Sequence, residues 1–286
     1  MRVEAVTVCV GYGDILAHTL AENLVHLDHM VVITSPDDKE TQNVCRKHSI
    51  QYVMTNDHQR HGTPNSEVFG GKMFNKARLI RRGFDQISAK DWVLHLDADA
   101  VLPRDFRRLI NLAHLDPENI YGSDRQDVYS FEDWQRLKSY NGPWSNWSNE
   151  NAHWFHPKFR TASRWVSAIH GYVPIGFFQL FHGTAMIDGG YHVRIYPISH
   201  QNAARSDVQF ALQWDREQRQ VIPELVCLHL GSEKAEMGRN WNGRKTPRFE
   251  AKPHPKPHPH PHHPPHPPHP HPRPPKPPCP PCPPCS

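Results

Sequence analysis

Long apolar runs are missing from this chain of 286 residues. A membrane-crossing helix needs ~20 of them in succession, so no membrane span is expected. A secretory leader pattern is also missing. The opening "MRVEAVTVCVGYGD" carries an acid at Glu4 and too short an apolar core, which points to a cytoplasmic protein. Cysteine is scarce before the C-terminal tail: only Cys9, Cys45 and Cys227. Cys9 and Cys227 lie inside apolar runs and read as small core residues, with the thiols reduced. Net charge is missing from the first 251 residues. The four basic residues of the segment from Lys252 to Ser286, which holds no acid, equal the whole formal charge of +4. A neutral body argues against binding nucleic acid through a broad basic face. A full dinucleotide fingerprint is absent too. Gly11-Tyr12-Gly13-Asp14 follows an apolar run, but Leu16 stands where a third glycine belongs. A Rossmann cofactor is therefore not expected; the turn reads as one that lets a ligand approach the backbone. The triplet Asn146-Trp147-Ser148 has the form of a glycosylation acceptor and carries no weight without a secretory signal.

What is present is an alternation. "VEAVTVCV", "HMVVITS", "IQYVMTN" and "DWVLHLDADAVL" are apolar, largely β-branched runs that read as strands. Between them, "DILAHTLAENLVHL", "DKETQNVCRKHS" and "KMFNKARLIRRGFDQI" place apolar residues at helical spacing, the last at Phe74, Ala77, Ile80, Phe84 and Ile87. Alternating strands and helices with continuously apolar strands predict an α/β fold with a mainly parallel sheet covered on both faces. Ligands of such sheets bind beyond the carboxyl ends of the strands, where Asp37, Asp97 and Asp99 fall. The later part is less regular. "SDVQFALQWDRE" predicts a short helix with Ser206 as N-cap, and "QVIPELVCLHLG" a late strand carrying His229.

The fourth strand ends in Asp97-Ala98-Asp99. By strand alternation Val93, His95, Asp97 and Asp99 point one way, and Trp92, Leu94, Leu96 and Ala98 the other. Two carboxylates on one face repel, so a cation or water belongs between them. Hard cations such as Mg²⁺ or Mn²⁺ take carboxylate oxygens and leave coordination positions for a diphosphate. A plainer alternative is an aspartate that caps the following turn beside a solvated neighbour.

With the βα alternation before it, this arrangement resembles the nucleotide-sugar glycosyltransferases of the GT-A fold, in particular the large family-two group of inverting transferases. The resemblance implies that the Asp97-Ala98-Asp99 motif ends the fourth strand and holds a divalent metal, Mn²⁺ or Mg²⁺, on the donor diphosphate. "FNKARLIRRGF" is similar to that family's helix ahead of the motif, which makes Asn75 and Lys76 donor-side residues. "VVITSPDD" is similar to its second strand, so Asp37 or Asp38 would contact the nucleotide base, beside Gly11 and Tyr12. "RSDVQFALQW" matches the element that supplies the catalytic base, which makes Asp207 the candidate; Ser206 stands where the family has Glu, and Asp215 and Glu217 are the neighbours to be told apart from it. "LVCLHLG" is similar to a late strand giving a metal ligand, which points to His229; a hydrogen-bonded core histidine is the plain alternative. The implied partners are a nucleoside-diphosphate sugar donor and a hydroxyl acceptor: a glycan, a lipid-linked glycan, a protein or a modified DNA base. A sugar nucleotidyltransferase on the same fold is the enzymatic alternative, although the Gly-rich segment followed by Arg with which those enzymes begin is absent after Val10.

The implied organisation is a transferase domain over 1–251, with a nucleotide-sugar half (1–110) and an acceptor half (111–251). Trp144, Trp147 and Trp154 interrupt a polar loop and suit stacking on a sugar or base, unless they fold inward to close the loop. Gly176 and Gln179 are expected on the acceptor wall. Arg104, Arg107 and Arg108 read as a charged helix surface, with guidance of a phosphate-bearing acceptor as the alternative. The tail, 252–286, carries eight histidines and three cysteines among prolines and is expected to be extended or disordered. Its "CPPCPPC" has zinc-like spacing, so a non-catalytic metal-binding or scaffold protein acting through the tail is the rival from another class.

Overall fold

The computed structural model describes residues 1–58, 74–140, 165–186, 193–198, 205–231 and 248–251. Met1–Ala251 makes one compact unit. Four strands come first: β1 (Val3–Val8), β2 (His29–Thr34), β3 (Gln51–Met54) and β4 (Trp92–Leu96). β1 pairs in parallel with both β2 and β4, and β2 with β3. Three helices connect them: α1 (Gly13–Leu24), α2 (Lys39–Lys47) and α3 (Lys76–Phe84).

The apolar runs are continuous because both faces of these strands are covered. Val3 and Ala5 of β1 pack with Leu16, Leu20 and Cys45 from α1 and α2. Val6 and Val8 point to the other face and meet Ala77, Leu79 and Ile80 of α3. Gly83 lets α3 lie directly on β1 and β2, since a side chain there would run into Val6 and Ile33.

The rest of the sheet is not a simple continuation. β5 (Ala100–Val101), β6 (Ile120–Val128), β9 (Phe178–His182) and β10 (Arg219–Leu230) complete an eight-stranded sheet in the order β3-β2-β1-β4-β9-β6-β10-β5. β9 runs antiparallel to both β4 and β6, β10 is parallel to β6, and β5 is antiparallel to β10. The sheet is thus mixed: its first half is parallel as expected, and β9 reverses direction beside β4. β7 (Val166–Ser167) and β8 (Gly171–Tyr172) form a separate hairpin. The helices α4 (Phe106–Leu112), α5 (Phe131–Ser139) and α6 (Ser206–Ala211) complete the described elements.

Two local expectations are corrected. β4 stops at Leu96, so Asp97-Ala98-Asp99 is a turn rather than strand, closed by the Ala100 N–H on the Asp97 carbonyl at 3.1 Å. Ser206 does not cap α6; Arg205 holds the cap position with a left-handed φ of 70°, and the buried Ser206 hydroxyl makes no hydrogen bond. β6 was not legible as a strand, because "GSDRQD" within it has the composition of a loop. Cys9, Cys45 and Cys227 are free and buried, and burial pushes their thiols up, Cys227 to about 12. Among the described residues, no helix is long and apolar enough to cross a membrane.

Candidate active site

The turn after β4 is held from three sides. Thr19 and Asn23, both buried on α1, donate to the carbonyls of Ala98 at 2.7 Å and Ala100 at 2.9 Å, and Asn23 also accepts from the Leu102 N–H at 2.8 Å. The Asp97 N–H reaches the Phe177 carbonyl at 3.2 Å, and the Asp99 carbonyl accepts from Leu230 at 2.8 Å. The backbone that carries the two carboxylates is therefore hydrogen-bonded from three sides, the kind of support a preorganised site uses.

Each carboxylate faces a cation. Lys76, at the first turn of α3, pairs with Asp97 Oδ1. His229 is brought in by register: β5 pairs Ala100 with His229, so the imidazole lands beside Asp99, with Nε2 3.2 Å from Oδ2. Its Nδ1 meets Asp127 Oδ1 at 3.0 Å, and Arg125 lies 3.4 Å from the same oxygen. Burial opposes the charge on His229, yet Asp99 and Asp127 raise its pKa to about 9. Burial likewise works against the Lys76 ammonium, but Asp97, Asp207 and Asp99 hold it above its ordinary value. Burial would raise Asp99, and the His229 imidazolium outweighs it and lowers the carboxyl; Asp97 goes up, through burial and the Asp99 charge, against the pull of Lys76.

Behind the acids lies a buried polar network. His95 is fully buried on the same side as Asp97, its Nε2 3.7 Å from Asp97 Oδ1. Its Nδ1 is 3.1 Å from the Tyr196 hydroxyl and 3.3 Å from Gln179 Oε1. Tyr196 donates to that Gln179 oxygen at 2.9 Å, and Gln179 Nε2 donates to the carbonyls of Pro174 and Asp207 at 2.9 and 3.0 Å. Burial and the nearby Lys76 hold His95 well below its ordinary pKa, so it stays neutral, with the proton assigned to Nδ1 by its partners and the lone pair of Nε2 toward Asp97. Asp207, half-buried at the start of α6, accepts from the Gly176 N–H at 2.7 Å.

The structure thus brings Lys76, Asp97, Asp99, Asp207 and His229 to one end of the sheet, and does not treat the other candidates alike. Gln179 is fully buried with its amide and carbonyl both engaged, so it braces Asp207 and His95 from behind and cannot touch an acceptor. Gly176 offers its amide to Asp207; a Cβ there would crowd Asp207 and His95. Asn75 is buried as the N-cap of α3 and donates to the Ile198 carbonyl at 2.9 Å. Asp38 caps α2 and accepts from the Gly11 N–H at 2.7 Å, tying the turn after β1 to that after β2; Asp37 beside it is exposed. Gly11 takes φ 75° with open space around it, and Tyr12 precedes α1. Asp215 and Glu217 are exposed on a 3-10 turn. Arg104, Arg107 and Arg108 bind backbone carbonyls, Asp28 and Asp105, as a charged helix surface does. Trp144, Trp147, Trp154 and the tail lie outside the described residues. Asp127 and Arg125 were not foreseen. The available signal was their spacing of two, which puts them on one face of a strand.

A divalent ion suits this donor set in one way and not in another. Among the described residues, no three of His, Cys, Asp and Glu converge as a preformed cage. The trio Asp97, Asp99 and His229 is divided into two ion pairs, and His229 holds a proton that a ligand must give up. Against that, Asp99 Oδ1 and His95 Nε2 are buried without a hydrogen-bond partner. Orphaned atoms of that kind mark places where an ion or water belongs. Mg²⁺-type ions use one or two carboxylates and complete their shell with phosphate oxygens and water. Asp99 and Asp97 fit that requirement.

No protein-family model matches the chain, and no curated protein matches its sequence. Solved structures resemble it in part. Mannosyl-3-phosphoglycerate synthase from Rubrobacter xylanophilus is 20% identical over 44% of this chain and 40% of its own, with a TM-score of 0.31. Glucosyl-3-phosphoglycerate synthase from Mycobacterium tuberculosis, in complex with Mn²⁺ and uridine-diphosphate-glucose, is 8% identical over 80% of this chain and 69% of its own, with a TM-score of 0.40. A 4-diphosphocytidyl-2C-methyl-D-erythritol synthase is 16% identical over 78% and 89%, with a TM-score of 0.36. The chain spans less than half the length of the first of these.

Proposed function

We propose that the protein is a divalent-metal-dependent glycosyltransferase that moves a sugar from a nucleoside diphosphate to a hydroxyl acceptor, with inversion at the anomeric carbon. The observation that carries this reading is the pairing of Asp97 with Lys76 and Asp99 with His229 at the carboxyl end of the sheet, with Asp207 held nearby. Two acids balanced by exchangeable cations suit a diphosphate and its counter-ion, which replace the internal pairs with stronger ones.

In this reading the turns after β1 and β2 take the nucleoside. Gly11 has open space where a side chain would stand, and Asp37, next to the Asp38 that binds the Gly11 amide, is exposed. Asp99 and Asp97 would hold Mn²⁺ or Mg²⁺; when bound, that ion neutralises charge developing on the leaving diphosphate. Lys76, released from Asp97, offers its ammonium to the same phosphates. Asp207 accepts the proton of the acceptor hydroxyl as its oxygen bonds to the anomeric carbon and the bond from that carbon to the diphosphate oxygen breaks. The Gly176 amide and the Gln179 brace keep the Asp207 carboxylate aimed.

A donor screen of the full chain with Mn²⁺, read by nucleoside-diphosphate release, tests the proposal. If no nucleotide sugar in a broad panel is bound or consumed, the reading fails. Pyrophosphate released from a nucleoside triphosphate and a sugar phosphate would instead make the protein a nucleotidyltransferase.

A further inference from the structure

One cleft opens beside the acids. Its volume is about 160 Å³, and its walls include Trp165, Tyr172, Phe177 and Phe178 together with Ser123 and Arg125. The remaining walls are the aliphatic Val173 and Ile175. Three features fix what such a space accepts. An apolar cavity of about 150 Å³ takes one benzene, so this one takes a single ring. Six of its eight lining residues are aromatic or aliphatic, which disfavours a sugar, whose hydroxyls would lose water without enough partners. The charged residue among them is Arg125, whose planar guanidinium suits a carboxylate.

The cleft also shares a wall with the site. Phe177 lines it, accepts the Asp97 N–H through its carbonyl at 3.2 Å, and sets its ring edge-on to His229 at 5.4 Å between centroids. Arg125 reaches the site through Asp127 and lies 5.8 Å from the Phe177 ring centre. Gly176, whose amide holds Asp207, lies between the lining residues Ile175 and Phe177.

We infer that this cleft is the acceptor subsite and that it takes a small hydroxy-aryl acid: one aromatic ring against Trp165 and Phe177, its carboxylate on Arg125, its hydroxyl toward Asp207. The word acceptor rests on the transferase reading; the binding of an aryl acid does not. The subsite therefore has its own test, made on the full chain without donor. 4-Hydroxybenzoate serves as probe, with 4-hydroxybenzamide as its uncharged analogue and glycerate as a hydroxy acid without a ring, and binding is followed by calorimetry.

The expected result is that 4-hydroxybenzoate binds at least about tenfold more tightly than either analogue. Arg125→Gln removes that preference over the amide, and Trp165→Ala, a change at a half-open surface position, weakens both aryl probes by about fivefold. If 4-hydroxybenzoate fails to bind at millimolar concentration, or if Arg125→Gln keeps the full preference, the inference is overturned. Binding of a panel of nucleoside diphosphates covering the common bases, with Mn²⁺ and on the same preparation, separates the two ideas. Nucleotide binding without aryl-acid binding sinks the subsite and leaves the transferase standing. Aryl-acid binding without nucleotide binding keeps the subsite and removes the transferase.

Discussion

His229, on β10, and Asp99, in the turn after β4, are 130 positions apart in sequence and stand 3.2 Å from each other, with Asp127 on the far nitrogen of the same imidazole. The pair has a pH signature. The folded-state pKa of His229 is raised to about 9, from an unfolded value of 6.5. Its stabilisation is therefore fully present below pH 6.5 and is lost as pH rises through about 9. The shift corresponds to about 3 kcal/mol. Urea denaturation in chelator-treated buffer between pH 6 and 10 should show this loss, and His229→Gln should flatten it. A wild-type profile with no decline over that window would show that the imidazole is not held charged.

Lys76 is paired with Asp97, the carboxylate that the proposed function gives to a divalent ion. Lys76→Met leaves the Asp97 carboxylate facing Asp99 without its counter-charge, and should lower stability by about 2 kcal/mol in chelator. Mn²⁺ should restore more melting temperature to this variant than to wild type. Equal responses would mean that Asp97 takes no part in holding the ion.

Asp207→Asn keeps an oxygen to accept from Gly176 and loses only the capacity to take a proton. Turnover should fall by roughly 10²–10⁴, while affinity for the nucleoside diphosphate that the donor screen identifies stays unchanged in the presence of Mn²⁺. Turnover within a few-fold of wild type would move the base elsewhere.

Tyr196→Phe removes a hydroxyl shared by Gln179 and His95 in a fully enclosed setting. The cost should be about 1–2 kcal/mol in denaturant, with a further drop in turnover because Gln179 braces Asp207. Unchanged stability would show that the network tolerates the gap.

Removal of 252–286 should leave melting temperature and transfer unchanged, since Met1–Ala251 is compact by itself. Loss of activity on truncation would give the histidine- and proline-rich tail a part in the reaction.

The first half of the fold was legible because its strands are covered on both faces, so Val3–Val8 and Trp92–Leu96 read as unbroken apolar runs. β6 was not, for the opposite reason: Ser123 and Arg125 line a cleft and Asp127 holds His229, so a working strand carries the composition of a loop. The acids Asp97 and Asp99 stand out by their spacing, and Asp207 only through the resemblance that its segment bears. Their partners do not. Lys76 looks like any helix-surface cation until α3 is seen packed on β1, and Asp127 reaches His229 only through the pairing of β6 with β10. Gln179 misled because a glutamine next to aromatics reads as a ligand contact, whereas burial makes it a brace.

The two-residue strand β5 has a consequence for how the chain divides. It lies within the first 110 residues of the sequence, yet it forms the far edge of the sheet, beyond β9, β6 and β10. The halves are laced through each other rather than joined end to end. Neither can be excised, swapped or expressed alone with β5 still paired to β10 and Ala100 still set against His229.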